Sequence, residues 1–169
     1  MEYLWTQGLD RPFFTPLQGE DRCDVLVIGA GMAGILCALE LKRRGIDCIV
    51  AEAKEIGSGV TAGTTAVLSA QHDTLYKDIA ASMGKEKAKL YLQANLDAIR
   101  RFERYSAKYP CDFQRQDSYM YARGDTAKLR EEVRCLTELG FEAEYLHTTP
   151  LPFRVSGAVC FPEWPSSIR

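Results

Sequence analysis

From Asp24 the chain runs DVLVIG, a short, β-branched and nearly unbroken apolar stretch. That is the pattern of a strand buried on both faces of a parallel sheet. The period then changes. Met32, Ile35, Leu36 and Leu39 fall at i, i+3, i+4 and i+7, Glu40, Lys42, Arg43 and Arg44 crowd the end of the segment, and Gly45 stands as its stop. DCIVAEA, residues 47–53, is a second apolar run. Strand, helix and strand within about 30 residues make a βαβ unit, for which a right-handed crossover is expected.

Beyond it, residues 55–71 (EIGSGVTAGTTAVLSAQ) are rich in Gly, Ser and Thr and predict a loop entering a helix. Residues 75–108 predict helix in two pieces broken near Gly84, with Tyr91, Ala94, Ala98, Ile99, Phe102 and Tyr105 as a packed stripe. CDFQRQDSYMYAR, residues 111–123, predicts two short strands. The segment 125–140 predicts a helix capped by Asp125, with Leu129, Val133 and Leu136 as its apolar face and Gly140 as its stop. RVSGAVCF, residues 154–161, predicts a strand. Residues 1–22 carry Trp5, Pro12, Phe13, Phe14 and Pro16 without periodicity and are expected to form an arm packed across the surface.

Composition narrows the function classes. With 169 residues, 46% hydrophobic and 26% charged, the chain has enough apolar material for a globular core. Its formal net charge of -2 gives no electrostatic case for a nucleic-acid partner or an anionic membrane. No stretch approaches the roughly 18 apolar residues of a membrane span, and the N-terminus lacks the basic start and apolar run of a signal peptide. The six cysteines (23, 37, 48, 111, 135 and 160) show no C-x-x-C spacing and mostly sit in apolar runs. They read as buried, reduced thiols of a cytoplasmic protein, with no metal site expected.

Gly29, Gly31 and Gly34 form G-x-G-x-x-G directly after the first predicted strand and at the start of the predicted helix, and Glu52 follows about 20 residues on. Each position has a task in a dinucleotide-binding turn. Gly29 permits the tight turn, Gly31 leaves room for a pyrophosphate, and Gly34 lets helix and strand approach. The helix N-terminus offers N–H groups and a partial positive charge to the phosphates, and Ala38 keeps the following turn slim. Glu52 is placed to accept hydrogen bonds from a ribose diol, and an acid there argues against a 2′-phosphate and so against NADP. A βαβ unit that holds no ligand fits the same spacing, and the fingerprint does not separate NAD from FAD.

The segment after Glu52, AKEIGSGVTAGTTAVLSAQHDTLY, is similar to the D-amino-acid oxidase and glycine oxidase superfamily of FAD-dependent oxidoreductases. The resemblance is closest to a bacterial branch often fused to a C-terminal Rieske iron–sulfur domain. It runs from Trp5 through DVLVIGAGMAG, IGSGVT, GTTA at 63–66, SAQH at 69–72, CDF at 111–113 and PLPF at 150–153. It implies an α/β, Rossmann-type FAD-binding domain, incomplete, with the beginning of an α+β substrate domain. The expected division is an arm at 1–22, FAD-binding residues 23–110 and a substrate-domain segment 111–169. FAD is the implied cofactor. Gly29, Ala30, Gly31, Met32, Ala33 and Gly34 would hold its pyrophosphate, and Glu52 with Ala53 the adenosine ribose. Ser58, Thr61, Thr64, Thr65 and Ala66 would meet the diphosphate and ribityl chain, although each hydroxyl could equally cap the following helix. Gln71 and His72 would lie toward the flavin. No catalytic residue is assigned, since a single histidine at a loop–helix junction is more often structural than a base. The implied activity is oxidation of an amine or amino acid by hydride transfer to the flavin, which carries the hard step.

Members of that family are longer, and Rieske-type Cys/His pairs are missing from this sequence. The chain is therefore expected to be an N-terminal fragment. A parallel sheet lacking strands exposes edges and apolar faces, which predicts self-association or a need for a missing C-terminal half. Two alternatives stand beside this reading. One is a catalytically inactive dinucleotide-binding remnant or interaction module, the other an NAD-dependent dehydrogenase.

Overall fold

The computed structural model describes residues 8, 12–109 and 111–167, the last five by backbone alone. Trp5 lies outside the described residues. The chain divides into two compact units, residues 1–65 and 66–169. The boundary expected at 110/111 falls inside the second of them.

In the first unit, β1 (Val25–Ile28), α1 (Met32–Arg43) and β2 (Cys48–Ala51) form the βαβ motif, with β1 and β2 parallel and in register from Val25 opposite Cys48 to Ile28 opposite Ala51. α1 stops as its sequence indicates. Lys42 and Arg43 suit the negative end of the helix dipole. The N–H groups of Gly45 and Ile46 turn back onto the carbonyls of Lys42 (3.1 Å) and Leu41 (3.0 Å), satisfying the last turn.

Burial of β1 on both faces does not hold. Val25 and Val27 are half-buried, Val27 facing α1, whereas Leu26 is 54% and Ile28 84% exposed. Alternate side chains of a strand point to opposite faces. Among the described residues of this unit, α1 covers one face and no layer covers the other. The expected packed arm also differs: Phe13, Phe14 and Leu17 are exposed. Nor are the thiols uniformly buried. All six cysteines are unpaired, with Cys160 buried, Cys37 exposed and the others intermediate.

The second unit comprises α2 (Leu75–Met83), α3 (Lys85–Lys108), β3 (Gln114–Ala122), α4 (Ala127–Glu138), β4 (Glu144–Leu146) and β5 (Gly157–Ser167). Its antiparallel sheet has the order β3-β5-β4. The helix break at Gly84 is where the sequence puts it. The two strands expected over 111–123 are one strand, because register shifts near Gln114 and between Gln116 and Ser118 absorb the irregularity without ending the pairing. The α3 stripe is rotated. Ala88, Leu92 and Ile99 are buried and Leu96 packs against them, while Ala94 and Ala98 face outward. Aromatic residues drew the expected stripe toward Tyr91, whose ring lies at the margin of the core. At α4, Thr126 takes the cap position, and Asp125, one residue earlier, accepts the Ala127 N–H through Oδ1 at 2.9 Å.

Tyr76, Leu136, Val159 and Phe161 are fully buried in the core of this unit, and with them Glu132. The Glu132 carboxylate accepts the Tyr76 N–H at 2.8 Å and the Lys77 N–H at 2.9 Å. These are orphan donors of the first turn of α2, so α4 caps α2 from 55 residues away. Burial pushes the Glu132 carboxyl above its ordinary range, against the pull of the two N–H groups. A folded-state value above the unfolded one means that this contribution to stability is fully present below the ordinary carboxyl range. It is lost as pH rises through the folded value. Glu132→Gln is expected to remove that slope from the pH dependence of the unfolding midpoint. Glu132→Ala, which strands the buried Tyr76 N–H, should cost about 1–3 kcal/mol, measured by denaturant unfolding.

Candidate functional site: the glycine turn

The turn between β1 and α1 lies wholly within the first unit. Gly29 has φ +98, a conformation that side chains disfavour. Its N–H donates to the Ala51 carbonyl at 2.7 Å, continuing the ladder one step past β1. The next residue is held on both sides. Ala30, 1% exposed, donates its N–H to Glu52 Oε2 at 2.8 Å and accepts the Gly57 N–H at 2.9 Å. Gly34 is the point of closest approach, because a Cβ there would collide with the Gly29 carbonyl oxygen.

Gly31 is the N-cap of α1 and, lacking a side chain, caps nothing. The first helical N–H, at Met32, is taken by Thr61 Oγ1 at 3.0 Å. The N–H groups of Ala33 and Gly34 have no acceptor among the described residues. A Cβ on Gly31 would stand 3.2 Å from Thr61 Oγ1. Open backbone donors at a helix N-terminus, beside a residue with no side chain, make an anion-binding cradle.

Glu52 does more than the sequence reading assigned. Its second oxygen accepts the Lys54 N–H at 2.9 Å, so the carboxylate ties the end of β2 to the turn and to the loop that follows. These N–H bonds, that of Ala30 foremost, hold its carboxyl below the usual range and keep it ionised. A carboxylate has about four lone-pair sites, so a ribose diol can still donate to it. The motif alone did not reveal this bracing role. Gly57, which opens the G-S-G at 57–59, adds a separate brace through its bond to the Ala30 carbonyl.

The structure brings together Gly29, Ala30, Gly31, Met32, Ala33, Gly34, Glu52 and Thr61. Ala53 follows Glu52 on the exposed chain. Ser58 and Thr65 lie on the loop with hydroxyls that make no hydrogen bond among the described residues. Thr64 Oγ1 donates to the Thr61 carbonyl at 3.3 Å, bracing Thr61 locally. Ala66, with φ 55, begins the second unit, to which Gln71 and His72 also belong. A surface cleft of about 500 Å³ lined by His147, Thr149 and Arg154 contains none of the assigned residues. Among the described residues no His, Cys, Asp and Glu group has metal-binding geometry, and no helix is long and apolar enough to cross a membrane.

A family model described as FAD dependent oxidoreductase matches residues 24–165, from the first residue before β1 into β5. The chain belongs to the FAD-dependent oxidoreductase family. A putative Rieske 2Fe-2S iron–sulfur protein, YhfW, of Bacillus subtilis (strain 168) is 36% identical over 155 residues, 89% of this chain and 30% of that protein. A probable oxidoreductase, OrdL, of Haemophilus influenzae is 30% identical over 106 residues, 60% of this chain and 24% of that protein. A probable electron transfer flavoprotein-quinone oxidoreductase, YgcN, of Escherichia coli (strain K12) is 49% identical over 37 residues, 22% of this chain. The chain thus spans under a third of the length of each of these relatives. Family membership implies FAD as cofactor, and the turn fits the ADP half of that group: two N–H groups without acceptors among the described residues, a missing side chain at Gly31 and an ionised Glu52.

The two inner glycines are expected to respond differently to a methyl group. Gly34→Ala forces the helix away from the strand and should cost about 1–3 kcal/mol of stability. Gly31→Ala meets a hydroxyl that can yield by a few tenths of an ångström, and its unfolding midpoint should stay near that of the parent. Equal midpoints for the two variants would contradict the assigned packing.

Proposed function

We propose that Gly29–Gly34, Glu52 and Thr61 grip the ADP portion of FAD, and that the chain is part of an oxidoreductase acting on an amine or amino acid. The observation that carries the reading is the pair of N–H groups at Ala33 and Gly34 without an acceptor among the described residues, beside Gly31, which has no side chain, and the Thr61 hydroxyl. They are placed to receive pyrophosphate oxygens, with the helix dipole adding favourable charge. Thr61 accepts from Met32, which leaves its own hydroxyl proton to donate to a phosphate. Glu52 orients the ribose and, as an anion, disfavours a 2′-phosphate. Ser58, Thr64, Thr65 and Ala66 are proposed for the more distal diphosphate and ribityl contacts, and Ala53 for the edge of the adenosine pocket. Bound FAD supplies the two-electron acceptor; the chain supplies binding and orientation, and no residue is assigned to proton transfer.

The proposed functional division is 23–110 for the cofactor and 111–169 for the substrate domain. Six unpaired cysteines support a reducing cytoplasm as its setting. A second reading, a catalytically silent nucleotide-binding or interaction module, draws on the exposed face of β1 at Leu26 and Ile28. Self-association through that face, or cover from further chain, belongs to this reading.

Titration of FAD by fluorescence quenching tests the assignment. Gly31→Val should weaken FAD binding by about 100-fold, or ~2.7 kcal/mol, with the far-ultraviolet circular dichroism unchanged. Unaltered affinity in that variant would rule out the site. A parent chain that binds no FAD yet self-associates in analytical ultracentrifugation would favour the interaction module of the second reading.

A further inference from the structure

The segment that leads into α2 is held from an unexpected direction. Tyr76 is fully buried, and both of its hydrogen-bond donors have partners. Its N–H is capped by Glu132, and its hydroxyl donates to the Ala70 carbonyl. Its ring packs against Tyr91 with centroids 5.9 Å apart, and Tyr91 in turn meets the His72 ring edge-on at 6.5 Å. Two routes therefore run from Tyr76 to the same short turn, one through the main chain at Ala70 and one through the aromatic edge under His72.

The turn is also internally fixed. Ser69 Oγ accepts the Gln71 N–H at 3.0 Å and donates to the Gln71 carbonyl at 2.9 Å. Gln71 Nε2 donates to the Asp73 carbonyl at 3.0 Å and to Met120 Sδ at 3.2 Å. A carbonyl oxygen can only accept, so the amide orientation is settled and Gln71 Oε1 is turned away as an acceptor. That oxygen and the His72 ring nitrogens have no hydrogen-bond partner among the described residues. A turn fixed this fully, with its remaining polar atoms unengaged, resembles a presenting element more than a simple connector.

We propose that Glu132 is a positioning residue for the Ala70–His72 turn. By fixing the first turn of α2 it sets Tyr76, and through Tyr76 it sets the direction in which Gln71 and His72 are presented. The idea that this turn serves the cofactor or substrate rests on the proposed function; the mechanical coupling does not. Tyr76→Phe is the separating variant, since it keeps the ring and the Glu132 cap and removes the bond to Ala70 alone.

The chain has two histidines, so their imidazole resonances in the ligand-free protein are readily assigned by NMR. His147, edge-on to Tyr145 at 5.2 Å, is the internal control. Both Tyr76→Phe and Glu132→Gln are expected to shift or broaden the His72 signals. They should also speed exchange of the Gln71 amide by about tenfold or more, with His147 unmoved. Unchanged His72 and Gln71 signals in Tyr76→Phe would overturn the proposal. So would a His147 response as large as that of His72, which would mean general loosening. Because no ligand is present, failure of FAD to bind would count against the proposed function and leave this result intact.

Discussion

The hydrogen bond from the Ala30 N–H to Glu52 is the contact on which the candidate site depends. Without it the turn after β1 would have a buried donor lacking a partner, and the bond from Gly29 to Ala51 would be left to tie the end of β2 to the turn. The carboxylate satisfies that donor, takes a second from Lys54, and stays ionised because it does so. Gly57 completes the arrangement from the other side of Ala30. The backbone at the mouth of α1 is thereby fixed before any ligand arrives, which limits the ordering cost of binding. The carboxylate braces the turn through one set of lone pairs, and in the proposed function it offers the rest to a ribose.

Much of this was legible in the sequence, for identifiable reasons. The βαβ unit follows from a change of hydrophobic period at Gly29, and the break between α2 and α3 from Gly84. The cradle was legible because its glycines serve needs of backbone and space that another residue meets poorly. Most of the misreadings lie where tertiary context decides. The outer face of β1 is open because burial depends on how many layers a sheet has, and a local pattern does not encode that number. Ala94 and Ala98 face outward, and their small side chains give no local sign of it because alanine is compatible with either side of a helix. Glu132, within a charged run of α4, carries no local sign that it is buried; only its partners on α2 explain it.

Glu52 and Glu132 do related work in the two units. Each is a carboxylate that accepts two main-chain N–H groups, both from distant α2 at Glu132 but one distant (Ala30) and one local (Lys54) at Glu52, and each fixes the entrance to a helix or to its preceding turn. Their surroundings differ, and so do their electrostatics. Exposed Glu52 is held acidic by its donors, whereas burial dominates at Glu132 and moves it the other way. The family likeness spans both units, from residue 24 to 165. The chain nevertheless covers 30% of the Bacillus relative, so binding by this chain and turnover by a longer protein are separate questions.

The binding question is the central one, and the visible absorption spectrum answers it most directly. The purified chain would be incubated with FAD, freed of excess by gel filtration and scanned. A flavin band that travels with the protein, near one equivalent per chain, is the expected result. A colourless protein whose circular dichroism shows it to be folded would contradict the claim that this glycine turn, as built here, is a competent FAD cradle.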